Sequence, residues 1–177
     1  GVKYFKTASA DLIDLPLLQY IALTGRPTII STGMASLGEI EKAIEIFKNC
    51  NNSNFVLLHC VSNYPCSNKS LNMKVMNTLE NAFDCPVGFS DHSVGFLSSV
   101  IAVSLGAKVI EKHFTLDKMM LGPDHRASST HDEFYELSSK IRETMIILGS
   151  SRKEIQDEEI EMSQVSRKKL FASREIK

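Results

Sequence analysis

The stretch Pro27-Thr-Ile-Ile-Ser-Thr-Gly-Met-Ala-Ser-Leu-Gly-Glu39 decides the fold class. Its opening, Pro27 to Ser31, is short, apolar and β-branched, which reads as a strand. Ser36 and Glu39 have the spacing of a capping box, in which each side chain satisfies an orphan backbone donor of the other, so a helix begins at Leu37. Leu37, Ile40, Ile44 and Phe47 then recur at helical spacing. Strand, loop and capped helix in that order make one βα unit.

The same rhythm runs outward in both directions. Asn54-Phe-Val-Leu-Leu-His-Cys60 is continuously apolar, as a strand buried on both faces should be. A loop with Tyr64 and Pro65 follows, and Leu71 to Phe83 is helical in its second half. Pro86 to His92 and Lys108 to Thr115 read as further strands, separated by an apolar helix from Phe96 to Leu105 that Gly106 closes. Thr130-His-Asp-Glu133 is a second capping box; Phe134, Leu137, Ile141, Met145 and Leu148 mark the inward stripe of the helix it starts, and Gly149 stops it. Tyr4 to Ser9 and Pro16 to Leu23 supply one more strand and helix. The result is roughly five βα units and hence a parallel α/β sheet. An eight-fold barrel needs eight such units, so periodicity leaves a small open sheet and a barrel fragment both open.

Composition removes several function classes. The formal charge is −1, from 20 basic and 21 acidic residues among 177, which gives no global field to recruit nucleic acid or an anionic membrane. Cys50, Cys60, Cys66 and Cys85 show neither a C-x-x-C pair nor zinc-ligand spacing, so free thiols in a reducing compartment are expected. No apolar run approaches bilayer length, and a cytoplasmic location is the expectation.

Polar residues gather at the carboxyl ends of the predicted strands, where active sites of parallel α/β enzymes lie. Ser90-Asp-His92 and Glu111-Lys-His113 are the strongest pair. Side chains alternate along a strand, so Ser90 and His92 share one face, and Glu111 and His113 share one face of the next strand. Neighbouring strands lie about 4.8 Å apart, close enough for two inward imidazoles to hold one divalent ion, which would act as a Lewis acid on a carbonyl oxygen. A hydrogen-bonded histidine pair in a polar mouth fits the same spacing. Ser31-Thr-Gly-Met34, before a capped helix, suits a phosphate or a plain turn. Lys6 and Ser9 offer a cation and a hydroxyl. Asp124, in a loop shaped by Gly122 and Pro123, suits a sugar contact or an Asx turn. Tyr64 can stack on a substrate or cover the rim. His59, His125 and His131 receive no specific role, beyond His131 in the first turn of the last helix.

Taken in order, Lys6-Thr-Ala-Ser9, Ser31-Thr-Gly-Met34, Leu58-His-Cys60 with Tyr64-Pro65, Gly88-Phe-Ser-Asp-His92, Glu111-Lys-His-Phe-Thr115 and Gly122-Pro-Asp-His-Arg-Ala-Ser128 resemble the bacterial N-acetylneuraminate (sialic acid) synthase family. The resemblance implies a partial (β/α)8 TIM barrel, strands four to eight, over residues 1–149. A linker over 150–165 and the start of a truncated antifreeze-like (SAF) domain over 166–177 would follow. It implies condensation of phosphoenolpyruvate with N-acetylmannosamine or a related N-acylated amino sugar to a sialic acid-type 2-keto acid and phosphate. By the same resemblance His92 and His113 are ligands of a divalent metal, Mn2+ foremost with Mg2+ or Co2+ as alternatives, and with Glu111 they form the catalytic set. Lys6, Ser9, Ser31 and Ser90 resemble phosphoenolpyruvate contacts, as does Ser62, where some members carry asparagine. Tyr64, Glu111 and Asp124 resemble groups around the amino sugar. The family's acidic residue on strand one and lysine on strand two have no counterpart here, so this chain alone is expected to be inactive, with the full-length protein a homodimer. Keto-acid formation by the purified 177-residue chain would refute that. The competing expectations are another metal-dependent phosphoenolpyruvate-condensing synthase and a noncatalytic barrel fragment.

Overall fold

The computed structural model describes residues 1–175. Five parallel strands lie side by side in chain order: β1 (Phe5–Thr7), β2 (Thr28–Ser31), β3 (Phe55–Cys60), β4 (Val87–Asp91) and β5 (Ile110–Lys112). Between them run α1 (Leu15–Leu23), α2 (Leu37–Asn49), α3 (Val75–Phe83) and α4 (Leu97–Ser104), and α5 (His131–Leu148) follows β5. Each strand hydrogen-bonds to its sequence neighbour, the order that successive βα crossovers of one hand produce.

Residues paired in a parallel register share a face, so the ladder sorts the side chains into two layers. Ile30, Leu57 and Phe89 face the helices and form the core with Leu18, Phe47 and Leu79, all buried. Phe47 of α2 meets Phe55 edge-on at 5.6 Å. On the other face Ser31 aligns with Leu58 and Gly88, and Cys60 aligns with Ser90 and Glu111. Gly88 is required there: a β-carbon would overlap the Leu58 side chain and the Val109 carbonyl.

The sheet curls rather than lying flat. Lys6 on β1 and Glu111 on β5 stand at opposite edges, yet their Nζ and Oε2 atoms are 3.4 Å apart. Five flat strands would separate the edges by about 19 Å. Strands four apart in an eight-stranded barrel face each other across the axis, so the chain describes half of such a barrel.

Local signals account for most boundaries. The Ser36 and Glu39 box forms as read, with the Ser36 N–H donating to Glu39 Oε2 at 2.7 Å. Gly106 and Gly149 take positive φ, 94° and 51°, where helices α4 and α5 stop. Within 150–165, the expected linker, lie a 3-10 turn (Asp157–Glu159) and most of α6 (Ile160–Ser166), neither with a buried residue. Over 166–175 no strand forms, and Leu170 and Phe171 are exposed; Ile176 and Lys177, the end of the predicted β run, lie outside the described residues. The stripe on α5 is also narrower than read: Leu137 is buried, whereas Met145 and Leu148 stay exposed along an open groove beside Val103 and Ala107.

Candidate active site

The inward face at the carboxyl ends of the strands carries a continuous polar network. Ser90 Oγ donates to Glu111 Oε1 at 2.7 Å, and Glu111 Oε2 pairs with Lys6 Nζ. The second imidazole, His113, lies beyond β5; its ring centroid is 5.2 Å from that of His92, nearly perpendicular. Tyr64 packs over both rings, 4.3 Å from His92 and 5.3 Å from His113.

The protonation of His92 follows from its neighbours. Nδ1 lies 2.7 Å from the Val61 carbonyl, which can only accept, so Nδ1 carries the proton. Burial pushes the imidazole pKa down, outweighing the Val61 contact, and His113 lowers it further. A neutral ring therefore leaves an Nε2 lone pair 3.3 Å from Ser90 Oγ. The one hydroxyl proton of Ser90 is already given to Glu111, so that lone pair is unclaimed.

This donor chemistry fits a divalent ion. A metal-binding histidine commonly gives its other N–H to a backbone carbonyl, as His92 does. Rings whose centroids are 5.2 Å apart are also within the span of two ligands of one ion at about 2.1 Å each. Among the described residues no group of three or more His, Cys, Asp or Glu side chains could hold a metal, so these two imidazoles are what the described residues would offer such an ion. Asp124 Oδ2 is 3.8 Å from His113 Nδ1, too far for a hydrogen bond but on the same rim.

A second cluster sits across the mouth, around Gly33. Its N–H donates to Ser9 Oγ at 3.0 Å, and Ser9 Oγ lies 3.2 Å from Cys60 Sγ. Ser62 Oγ is buried with no hydrogen-bond partner among the described residues. A methyl group on Gly33 would overlap Ser62 Oγ, Ser9 Oγ and Cys60 Sγ, so glycine keeps the three polar atoms close. A buried, unpaired hydroxyl is costly unless a ligand completes it. Ser31, buried at the end of β2, lies one layer deeper beside Leu58.

All ten residues singled out from sequence thus belong to the inward face or its rim. Sequence reasoning missed Cys60, whose place in an apolar run hid its inward direction; alternation from Leu58 would have revealed it. It also missed Asp91 and Lys112, which point away from the mouth. His59 is a support: buried beside Phe89, its Nε2 lies 2.7 Å from the Leu71 carbonyl, which anchors the loop after β3. His125 braces its own loop through Thr115 Oγ1 at 2.7 Å, and His131 is the exposed first residue of α5.

Comparison with known proteins identifies the family and agrees with the fold. The model of the family described as "NeuB family" matches residues 1–153. The N,N'-diacetyllegionaminic acid synthase of Campylobacter jejuni subsp. jejuni is 44% identical over 100% of this chain and 54% of its own length. The protein of that name from Legionella pneumophila is 43% identical over 99% of this chain and 51% of its own. Among solved structures, the N-acetylneuraminic acid (sialic acid) synthetase of Leptospira borgpetersenii, crystallised with citrate, superposes with a TM-score of 0.86 at 38% identity, covering 96% of this chain and 60% of that one. The chain spans about half the length of the curated relatives it matches.

Proposed function

This chain belongs to the NeuB family, and on that premise we propose that the protein containing it condenses phosphoenolpyruvate with an N-acylated amino sugar, N-acetylmannosamine or a diacetamido relative. The products are a sialic acid-type 2-keto acid and inorganic phosphate. The enol carbon bonds to the aldehyde carbon of the open-chain sugar. Water adds at C2, and the bond from C2 to the bridging oxygen breaks as phosphate leaves.

The observation that carries this reading is the convergence of Lys6, Ser90, His92, Glu111 and His113 on one mouth from both edges of the sheet. His92, through Nε2, and His113 would hold the divalent ion, Mn2+ foremost and Mg2+ or Co2+ as alternatives. When bound, the ion supplies Lewis-acid polarisation of the aldehyde oxygen. Lys6 offers a cation to the phosphoenolpyruvate anion, and Ser9, Ser31, Ser62 and Ser90 offer hydroxyls. The unpaired Ser62 Oγ supports an anion acceptor on that side. Glu111 and Asp124 accept from sugar hydroxyls or the amide, and Tyr64, lying over both imidazoles, covers part of their faces. The names of the two bacterial relatives favour assaying the precursor of N,N'-diacetyllegionaminic acid beside N-acetylmannosamine. The rest of the barrel, an SAF domain and a homodimer complete the proposal for the full-length protein.

Phosphate release by the full-length protein with phosphoenolpyruvate and each sugar tests the reaction. His92→Ala should abolish turnover with folding intact; full activity in that variant would remove His92 from the mechanism.

A further inference from the structure

Behind the mouth, on the opposite face of the same two strands, lies a charged cluster that the proposed reaction does not use. Asp91 follows Ser90, Lys112 follows Glu111, and the two are partners in the β4–β5 register. Lys112 Nζ lies 3.3 Å from Asp91 Oδ2, with side chains 1% and 0% exposed. Asp91 Oδ1 accepts from the Ser93 N–H at 2.8 Å and from Ser93 Oγ at 2.7 Å. Its Oδ2 accepts from Ser98 Oγ at 2.8 Å and Ser99 Oγ at 2.7 Å. Lys112 Nζ also donates to the Ser93 carbonyl.

Net stability is a poor explanation for this arrangement. Taking two charges out of water offsets most of their attraction, and an apolar pair of similar volume often does as well. What the cluster has, and an apolar pair lacks, is direction. One carboxylate ties together the end of β4, the turn at Ser93, the first turn of α4 and the end of β5. His92 stands between Asp91 and Ser93, both held by that carboxylate, while Lys112 stands between Glu111 and His113. The bonds therefore clamp the backbone on each side of His92 and immediately beside His113, without touching the mouth.

We propose that Asp91 and Lys112 are positioning residues that set the spacing of His92, His113 and Glu111 from behind the sheet. The inference rests on the reading that the two imidazoles share an ion. An ion held by two side chains depends more than most on how those two are placed, because among the described residues no third side chain corrects their spacing. Partners outside the ligand shell typically alter metal affinity 10- to 100-fold, on the order expected here.

The test compares the full-length protein with the D91N/K112M double variant, which removes both charges and nearly preserves volume. Mn2+ affinity is measured by titration calorimetry, the imidazole nitrogens of His92 and His113 by nitrogen-15 NMR without metal, and folding by thermal unfolding. A folded double variant should bind Mn2+ about 10- to 100-fold more weakly, with displaced His92 and His113 ring resonances. Unchanged Mn2+ affinity with unmoved resonances overturns the proposal and leaves the shared-ion reading standing. A wild-type protein without Mn2+ affinity removes that reading instead; the ring resonances then decide alone, displacement supporting the positioning role and constancy ending it. Should the double variant fail to fold, Ser99→Ala removes one of the four donors to Asp91. A several-fold loss of affinity with moved resonances in that variant supports the proposal, and no change in either overturns it.

Discussion

Replacing Gly33 by alanine separates the packing of the candidate site from that of the fold. The residue is outside the positive-φ region, so alanine meets no backbone penalty, and its effect is steric alone. The added carbon would stand 2.7 Å from Ser9 Oγ and 3.0 Å from Cys60 Sγ, and it would overlap Ser62 Oγ. Forcing one methyl group into a filled site costs about 1–3 kcal/mol, so the urea midpoint should fall accordingly. If Ser9 and Ser62 hydroxyls both swing away from a bound anion, two hydrogen bonds worth about 1 kcal/mol each are lost, and the KM for phosphoenolpyruvate should rise roughly 30-fold. Gly38 is the internal control. It lies in the first turn of α2 with nothing within 4 Å of a β-carbon, so Gly38→Ala should stabilise by about 0.4–1 kcal/mol and leave KM unchanged. Measurement needs urea unfolding and steady-state kinetics on the full-length protein. Gly33→Ala with wild-type stability and KM would refute the close approach of Ser9, Cys60 and Ser62 to that backbone.

Two further outcomes follow from buried titratable groups. Burial lowers the pKa of His59 below its ordinary value near 6.5, so the unfolded chain binds the proton more readily. Stability from this group is full above about pH 6.5 and is lost as pH falls below it; urea midpoints should drop between pH 7.5 and 5.5, and the drop should shrink in His59→Gln. An identical drop in that variant would assign the effect elsewhere. Burial also pushes the Cys85 thiol up to about 11. Only about one thiol in a thousand is then thiolate at pH 8, and mass spectrometry should find Cys85 alkylated by iodoacetamide far more slowly than an unfolded control; equal rates would contradict that burial.

The fold was legible where local chemistry and tertiary packing ask for the same thing. Pro27 to Glu39 carries β-branched residues, a loop and a reciprocal cap, and each became the element it implied. Leu170-Phe-Ala-Ser173 carries only local β propensity, and with no neighbouring strand among the described residues it forms none. Residues 150–165 read as a linker because they are acidic and polar, and local turn and helix hydrogen bonds suffice for the exposed 3-10 and α-helical turns that begin at Asp157. At the site, period-two alternation sorted Ser90, His92, Glu111 and His113 correctly. Their intervening neighbours Asp91 and Lys112 were illegible as a pair, because nothing local says that two buried charges 21 positions apart in sequence will meet across neighbouring strands.

The Lys6 and Glu111 contact has a consequence for assembly. Its partners belong to the first and last strands, so it closes only after every intervening ladder has formed. A slip of one residue in either outer strand would turn lysine or glutamate to the helix side. The charge bridge over the mouth is thus a checksum on the whole sheet, and a chain in which the two side chains meet has already registered all five strands correctly.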